Sequence, residues 1–578
     1  MWWREHRHSA DADLASEAAG APGVANTTSA HWSARPLADR LGGDKLLTLL
    51  WQLPLAIATV YVVVFVVHLQ RNVTELQWDP DYASAFALPE TLAGSGSGGN
   101  TVISSSGQWL SLWIGLLTAG LPLHRQLWEI APTLLFLATA LIVGWSVARL
   151  STRRAAILAV LICVIASPFA LVFFMAPNAH NFVYPGTALL GAYLVWLARG
   201  EGRRPALTWA VPPLAGVAVG ACLASDLLFV ATAIVPLAVT AILAGVQPGR
   251  RARVLAVSAL STLAVALGVS SLISSIMRSS GYLKLPTPAH AVPLSELPER
   301  ATLLFKGLKG LFNGYLGGPT APGTLHPALG LASDVVMSAA LLALIVLGIL
   351  ATARLIWAAL RRRGAQTPDE LARSLHVVYW VGSAASVCAV FWIAAETGGG
   401  TDLHESYYAT ALFSVAAVIP LLLSAGRLGR ILVPVGASIF FLASLVGLTG
   451  NYMNLTNGIA ADTASVTRIA RANNVPVGYG GYGTSVFTWI THGRVTVRPL
   501  MACENPQGAD ICPFYLMSTP AWYVPRERHT FLLTVSGEGW VSSLPPGLGK
   551  PLATYRLGAM SMYIYPYDLA SRLGPQQD

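Results

Sequence analysis

The chain repeats one pattern: an apolar run of about twenty residues, then a short polar connection, with two kinds of connection taken in turn. Such a run crosses the roughly 30 Å hydrocarbon layer as a helix, because lipid leaves the backbone no partner but itself. Runs of this kind lie at Leu46–Leu69, Ala131–Leu150, Ala155–Met175, Phe182–Ala198, Leu207–Ala224, Leu227–Val246, Val254–Met277, Asp334–Leu360, Leu375–Ala395, Tyr407–Ala425 and Ile431–Gly450. They predict a polytopic α-helical membrane protein of about eleven transmembrane helices. With 54% hydrophobic and 11% charged residues, the composition excludes an ordinary soluble chain, in which about 25% of residues are charged.

The alternation of connections sets the expected orientation. One set holds Arg149/Arg153/Arg154, Arg199/Arg203/Arg204, Arg250/Arg251/Arg253, Arg361/Arg362/Arg363 and Arg427/Arg430. The other, around 176–181, 225–226 and 396–406, holds no Lys or Arg. Basic connections stay cytoplasmic, so the N-terminus is expected inside and, after an odd number of crossings, the C-terminus outside. The net charge of +9 is then a topology signal, and no nucleic-acid partner is expected.

This reading divides the chain into a mostly disordered cytoplasmic tail (1–45), a transmembrane module (46–450) and an extracytoplasmic α/β domain (451–578). Two further outer loops cover 70–130 and 278–329. In the first, Trp109–Leu117 is too short to span and suits a helix in the interface. Gly94–Gly99 is a flexible connector. In the last domain, Asp462–Asn473 reads as an amphipathic helix with Val466, Ile469 and Ala470 on one side. Strand-like pieces follow at Val475–Gly478, Val495–Val497, Thr530–Val535 and Ser561–Tyr565. Cys503 and Cys512 share a compact loop of this exported domain, which favours a disulfide over free thiols or a metal site. Cys163, Cys222 and Cys388 lie in apolar runs as packing residues.

The residues that invite a chemical role begin with Gln77-Trp78-Asp79-Pro80-Asp81-Tyr82. In an extended segment Asp79 and Asp81 point the same way. One carboxylate can serve as a general base while the other orients it or helps hold a divalent cation; a solvated turn is the plainer alternative. Polar residues recur later in this loop and in other outer connections: His124, Arg125, His180, Asn181, His404 and Glu405. Lys284 and Arg125 are among the outer cations able to neutralise a lipid phosphate.

The order of these features resembles the GT-C superfamily of membrane glycosyltransferases, particularly the dolichyl- and polyprenyl-phosphate-mannose protein mannosyltransferases and related bacterial enzymes. The acidic pair early in the first loop, the interfacial helix after it, and Leu403-His404-Glu405-Ser406-Tyr407-Tyr408 opening a late span carry the resemblance. Ser406 departs from it, standing where the family often has Arg. The resemblance implies transfer of a sugar from a polyprenyl-phosphate donor to an extracytoplasmic wall polysaccharide, glycolipid or protein, with inversion. Asp79 or Asp81 would be the base, with His124, Arg125, His180, Lys284, His404 and Glu405 as substrate-binding candidates. No cofactor is required, and a divalent cation is left open. The alternatives from the residues alone are a lipid or polysaccharide transporter and a non-catalytic envelope assembly factor. A transporter of that kind calls for internal repeats, and no convincing repeat is found.

Overall fold

The computed structural model describes residues 43–67, 88–89, 102–104, 109–165, 174–175, 180–200, 205–284, 289–313, 327–361, 366–396, 410–448, 457–491, 493–505, 508–514, 518–535, 544–558 and 560–574. It shows a polytopic α-helical membrane protein with a small C-terminal mixed β-sheet domain. The helical part opens with α1 (Gly43–Val67), β1 (Val102–Ser104), α2 (Trp109–Thr118), α3 (His124–Leu150), α4 (Arg153–Val164), α5 (Val183–Arg199) and α6 (Pro205–Ser225). A π-turn, Val230–Ile234, leads into α7 (Val235–Gly245), then α8 (Arg250–Ser279), β2 (Tyr282–Lys284), β3 (Ala289–Ala291) and α9 (Leu297–Asn313). The long helices α10 (Pro327–Arg361) and α11 (Pro368–Ile393) precede β4 (Ala394–Glu396), α12 (Thr410–Val418, continued as a 3-10 turn to Ser424) and α13 (Arg427–Gly447).

The structure corrects the count of eleven spans. Among the described residues six helices are long and apolar enough to cross a bilayer: 49–67, 126–150, 250–279, 328–361, 368–393 and 427–447. The other five apolar runs also contain helices: α4, α5, α7 and α12 are shorter, and α6, 21 residues long, contributes only the shorter apolar helix Ala210–Ser225. The fourth helix stops at Val164, in the run ahead of Ala166-Ser167-Pro168, and the run from Leu227 is interrupted by the π-turn. Parity therefore no longer assigns the two termini to opposite faces.

The helix ends sort by chemistry. Arg199, in the last turn of α5, donates to the carbonyl of Arg149 and pairs with Asp369 at 3.2 Å. Arg373 donates to the Leu150 carbonyl at 2.7 Å, and Ser151 donates to Ser424 at 3.2 Å. Two guanidinium groups thus meet the last carbonyls of α3, where the orphan acceptors and the negative end of the helix dipole favour cations. Thr367 and Glu370 form a capping box that starts α11 at this same end. The connections rich in Arg accordingly converge.

The opposite connections, short ones without Lys or Arg and the two long loops alike, converge at the other ends of these helices. Strand β1, from the first loop, pairs in parallel with β2, after α8. Strand β3 pairs antiparallel with β4, placing Ala289 opposite Glu396 and Ala291 opposite Ala394. The second helix lies across the bundle: the Leu110 N–H donates to Ser225 Oγ at 3.3 Å, and the Trp113 indole donates to Met277 Sδ at 3.2 Å. Its Ser111, Leu112 and Gly115 are buried, while Trp113, Ile114 and Leu117 are exposed.

The C-terminal domain comprises α14 (Asn457–Ala472), β5 (Val477–Gly481), a short turn and α15 (Val486–Ile490), β6 (Thr496–Asn505), β7 (Gly508–Pro513), β8 (Thr530–Val535), β9 (Ala553–Leu557) and β10 (Met560–Tyr565). The sheet order is β7-β6-β5-β8-β10-β9, with β5 parallel to β6 and β8 and the remaining pairs antiparallel. Strand alternation separates its two faces. Phe531 and Leu533 join Val466, Ile469 and Ala470 of α14 in one core. Leu532, between them, belongs to a second core with Tyr479, Leu500 and Tyr565. That second core also contains Leu88, Leu112, Met277 and Tyr282, all from the helical part. Trp128 of α3 meets Trp489 of α15 in a smaller cluster.

Candidate functional site

A polar node lies at the bundle end whose short connections hold no Lys or Arg. His180 occupies the turn before α5, and Asp226 the turn after α6. Forty-six residues apart in sequence, they meet through His180 Nδ1 and Asp226 Oδ2 at 2.5 Å. The ring nitrogen facing the carboxylate carries the proton, so Nδ1 donates and Asp226 fixes both tautomer and ring orientation. The second oxygen, Asp226 Oδ1, accepts the Leu228 N–H at 2.8 Å, in the manner of a helix cap. Asp226 is 5% exposed, too little for a freely hydrated carboxylate, and these two donors replace the water it loses.

Neighbouring groups tie the node to the first loop. Asn181 and Ser225 are buried, and Ser225 holds the first turn of α2. Asp226 N–H donates to the carbonyl of Cys222, one turn back on α6, so the carboxylate is anchored by its own helix. At the far end of α2, Thr118 Oγ1 and His124 Nδ1 stand 2.8 Å apart, and the His124 ring meets Trp128 edge-on. The second helix therefore begins at Ser225, the chain neighbour of Asp226, and finishes at His124.

The remaining residues singled out from sequence fall as follows. Asp79, Asp81, His404 and Glu405 lie outside the described residues, as do Gly94–Gly99 and the Leu403–Tyr408 stretch. For Arg125 and Lys284 the backbone is described, in α3 and β2, and the side chains lie outside the description. Cys503 and Cys512 form a disulfide with Cα atoms 5.8 Å apart; it links β6 to β7, so the loop expected there is a hairpin. Among the described residues no group of three His, Cys, Asp or Glu is arranged to hold a metal ion. Asp226 was not among the candidate site residues. Its one sequence signal is an acid at the edge of an apolar run.

A second polar centre sits inside the C-terminal domain. Asp568 accepts four hydrogen bonds: from Tyr479 OH (2.9 Å), Ala570 N–H (3.0 Å), Arg526 N–H (2.8 Å) and Glu527 N–H (2.9 Å). Burial alone would push this carboxyl up; the donors outweigh it and hold Asp568 below the usual carboxylate range. Tyr479 is shifted up, first by its burial, and Tyr565 is pushed up to about 12 by burial and by Tyr567 and Tyr563 beside it. With every carboxylate oxygen occupied, this centre is a structural clasp.

No protein-family model, curated protein or solved structure matches this chain.

Proposed function

We propose that the protein is a membrane glycosyltransferase that moves a sugar from a polyprenyl-phosphate donor to an acceptor on the face opposite its Arg-rich connections. The observation that carries this reading is the convergence of the first loop, the His180–Asp226 pair and the C-terminal domain at one end of an apolar bundle. A lipid-borne donor can reach such an end from the bilayer while a polar acceptor approaches from water. Arginine at the other end favours a cytoplasmic location for that end, which makes the working face extracytoplasmic in a cell membrane. The shorter helix α5 supports the same orientation, because it runs from the His180 turn to Arg199.

The chemistry asks little of the protein beyond a base and counter-charges. The donor is already activated, since its leaving group is a phosphate ester. One of Asp79 and Asp81 takes the proton of the acceptor hydroxyl, the hydroxyl oxygen attacks the anomeric carbon from the side opposite the phosphate, and polyprenyl phosphate departs. Inversion follows from the single displacement. His180, oriented by Asp226, is a positioning group for substrate at the same end. No cofactor is needed for these steps.

Purified protein incubated with a panel of polyprenyl-phosphate sugars and scored for released polyprenyl phosphate tests the reading. One donor should be consumed, and Asp79→Asn or Asp81→Asn should abolish its consumption while expression and thermal stability stay unchanged. Full turnover in both variants would sink the assignment of the base. Polymer binding without turnover of any donor would favour an assembly factor instead.

A further inference from the structure

Helices α10 and α11 cross closely at Gly348, where an added Cβ would stand 2.6 Å from Val381 Cγ1. Beside the crossing they leave an open groove of about 500 Å³, lined by Ile345, Ile349, Thr352, Ala353, Ile356 and Ala385 around the Gly348–Val381 contact. Thr352 supplies its only polar side chain. The small residues Ala353 and Ala385 are exposed, so the depression arises from missing side-chain bulk and not from a gap inside the bundle. Both helices are among the six spans, which places the groove against lipid tails.

The groove has a defined end. Ile345, Ile349, Ala353, Trp357 and Arg361 follow one another at intervals of four, forming one ridge along α10. The first three line the groove. The last two form a stack, with the Arg361 guanidinium carbon 3.9 Å from the centre of the Trp357 ring. From Ile345 to Arg361 the ridge rises about 24 Å, comparable to one hydrocarbon tail plus its link to a headgroup. Trp357 is amphipathic and suits the glycerol level, while Arg361 is exposed beyond it. Among the described residues no carboxylate pairs with Arg361.

We propose that this groove is a binding site for an anionic phospholipid of the leaflet at the Arg-rich end, with one acyl chain along the Ile345–Ile356 stripe and its phosphate against Arg361. An apolar trough alone would accept any tail. The stacked cation where the ridge ends holds phosphate in a planar fork and selects the net charge of the head, since the choline of a zwitterionic lipid would bring a second cation beside Arg361. The site lies at the opposite end from the His180–Asp226 node, so it is separate from the proposed reaction.

Full-length protein in detergent, offered phosphatidylglycerol and phosphatidylcholine of identical chains, tests this by native mass spectrometry. We expect one tightly retained phosphatidylglycerol, favoured roughly fivefold over phosphatidylcholine, as one surface cation facing an anionic head would give. Arg361→Gln should remove the preference and leave chain binding. Ala353→Phe should fill the trough and displace both lipids. Thermal melting of each variant near the wild-type value establishes that the bundle is intact; a variant that melts early is replaced by Ala385→Phe or Arg361→Ser. No preference in the wild type, or unchanged retention in Arg361→Gln or Ala353→Phe, overturns the proposal. Arg361-dependent retention of polyprenyl phosphate above phosphatidylglycerol overturns the choice of occupant.

Discussion

Replacing Asp568 by Ala should unfasten the C-terminal sheet. In the wild type its two oxygens satisfy three backbone N–H groups, of Arg526, Glu527 and Ala570, and the Tyr479 hydroxyl. Asp568 is 4% exposed, so water cannot fully re-satisfy these donors in the variant. Each hydrogen bond to a charged acceptor contributes about 1.5–3 kcal/mol, but some donors relax toward solvent, and a total near 3–5 kcal/mol is expected. Asp568→Asn keeps one acceptor oxygen and should cost roughly half as much. The loss should depend on pH with a definite sign. A carboxyl held below its unfolded value, about 3.9, contributes its stabilisation above that pH and loses it as pH falls through the folded value. The gap between wild type and Asp568→Ala should therefore be full at neutral pH and narrow progressively below about pH 4. Thermal melts of the full-length protein, followed by tryptophan fluorescence across this range, measure it; Trp522 and Trp489 both report from inside the domain. A gap that stays constant down to pH 3, or that is under about 1 kcal/mol at pH 7, would refute the clasp.

Three further outcomes follow from the packing. Cys503→Ser with Cys512→Ser should destabilise the domain by about 3 kcal/mol, the chain-entropy value for a short closed loop, and reductant should shift the wild-type melt by the same amount. Leu112→Ala should cost about 2–4 kcal/mol through the cavity left under Tyr479 and Leu532, and limited proteolysis should show the C-terminal domain cut sooner. Asp226→Ala, which leaves the His180 and Leu228 donors without their acceptor, should lower the melting temperature more than Asp226→Asn, which keeps an oxygen there; an unchanged melting temperature in Asp226→Ala would mean that the pair carries no stabilisation.

Much of the architecture was legible because it rests on composition and period. The alternating Arg connections anticipated two chemically distinct bundle ends, and the contacts Arg199 to Arg149 and Arg373 to Leu150 bring one set together. Val466, Ile469 and Ala470 announced a buried helix face by spacing alone. The count of spans was less legible, since an apolar run records what lipid tolerates and not where the backbone stays α-helical. The π-turn at Val230–Ile234 has no Pro or Gly inside it, and its mark in the sequence is Pro236 just beyond, which has no N–H for the Thr232 carbonyl. Strands β7 and β9 escaped notice for different reasons: Gly508-Ala509-Asp510 lacks alternation, and β9 is an edge strand with two of its five side chains exposed and none buried. The pairing of His180 with Asp226 joins two turns through tertiary structure, and no local pattern encodes that meeting. The burial of Leu112 has the same origin. Its helix was expected to lie in the interface, and its buried side joins the core shared with the sheet.

That shared core also imposes a schedule. Leu88 and Leu112 leave the ribosome about 390 and 370 residues before Tyr479, which at 5–20 residues per second is roughly 20–80 s earlier. Throughout that interval the buried side of the first loop has none of the sheet that will cover it. The loop must wait at the membrane surface, where lipid headgroups or a chaperone are its available cover, and its final shape is fixed by the last fifth of the chain to be made.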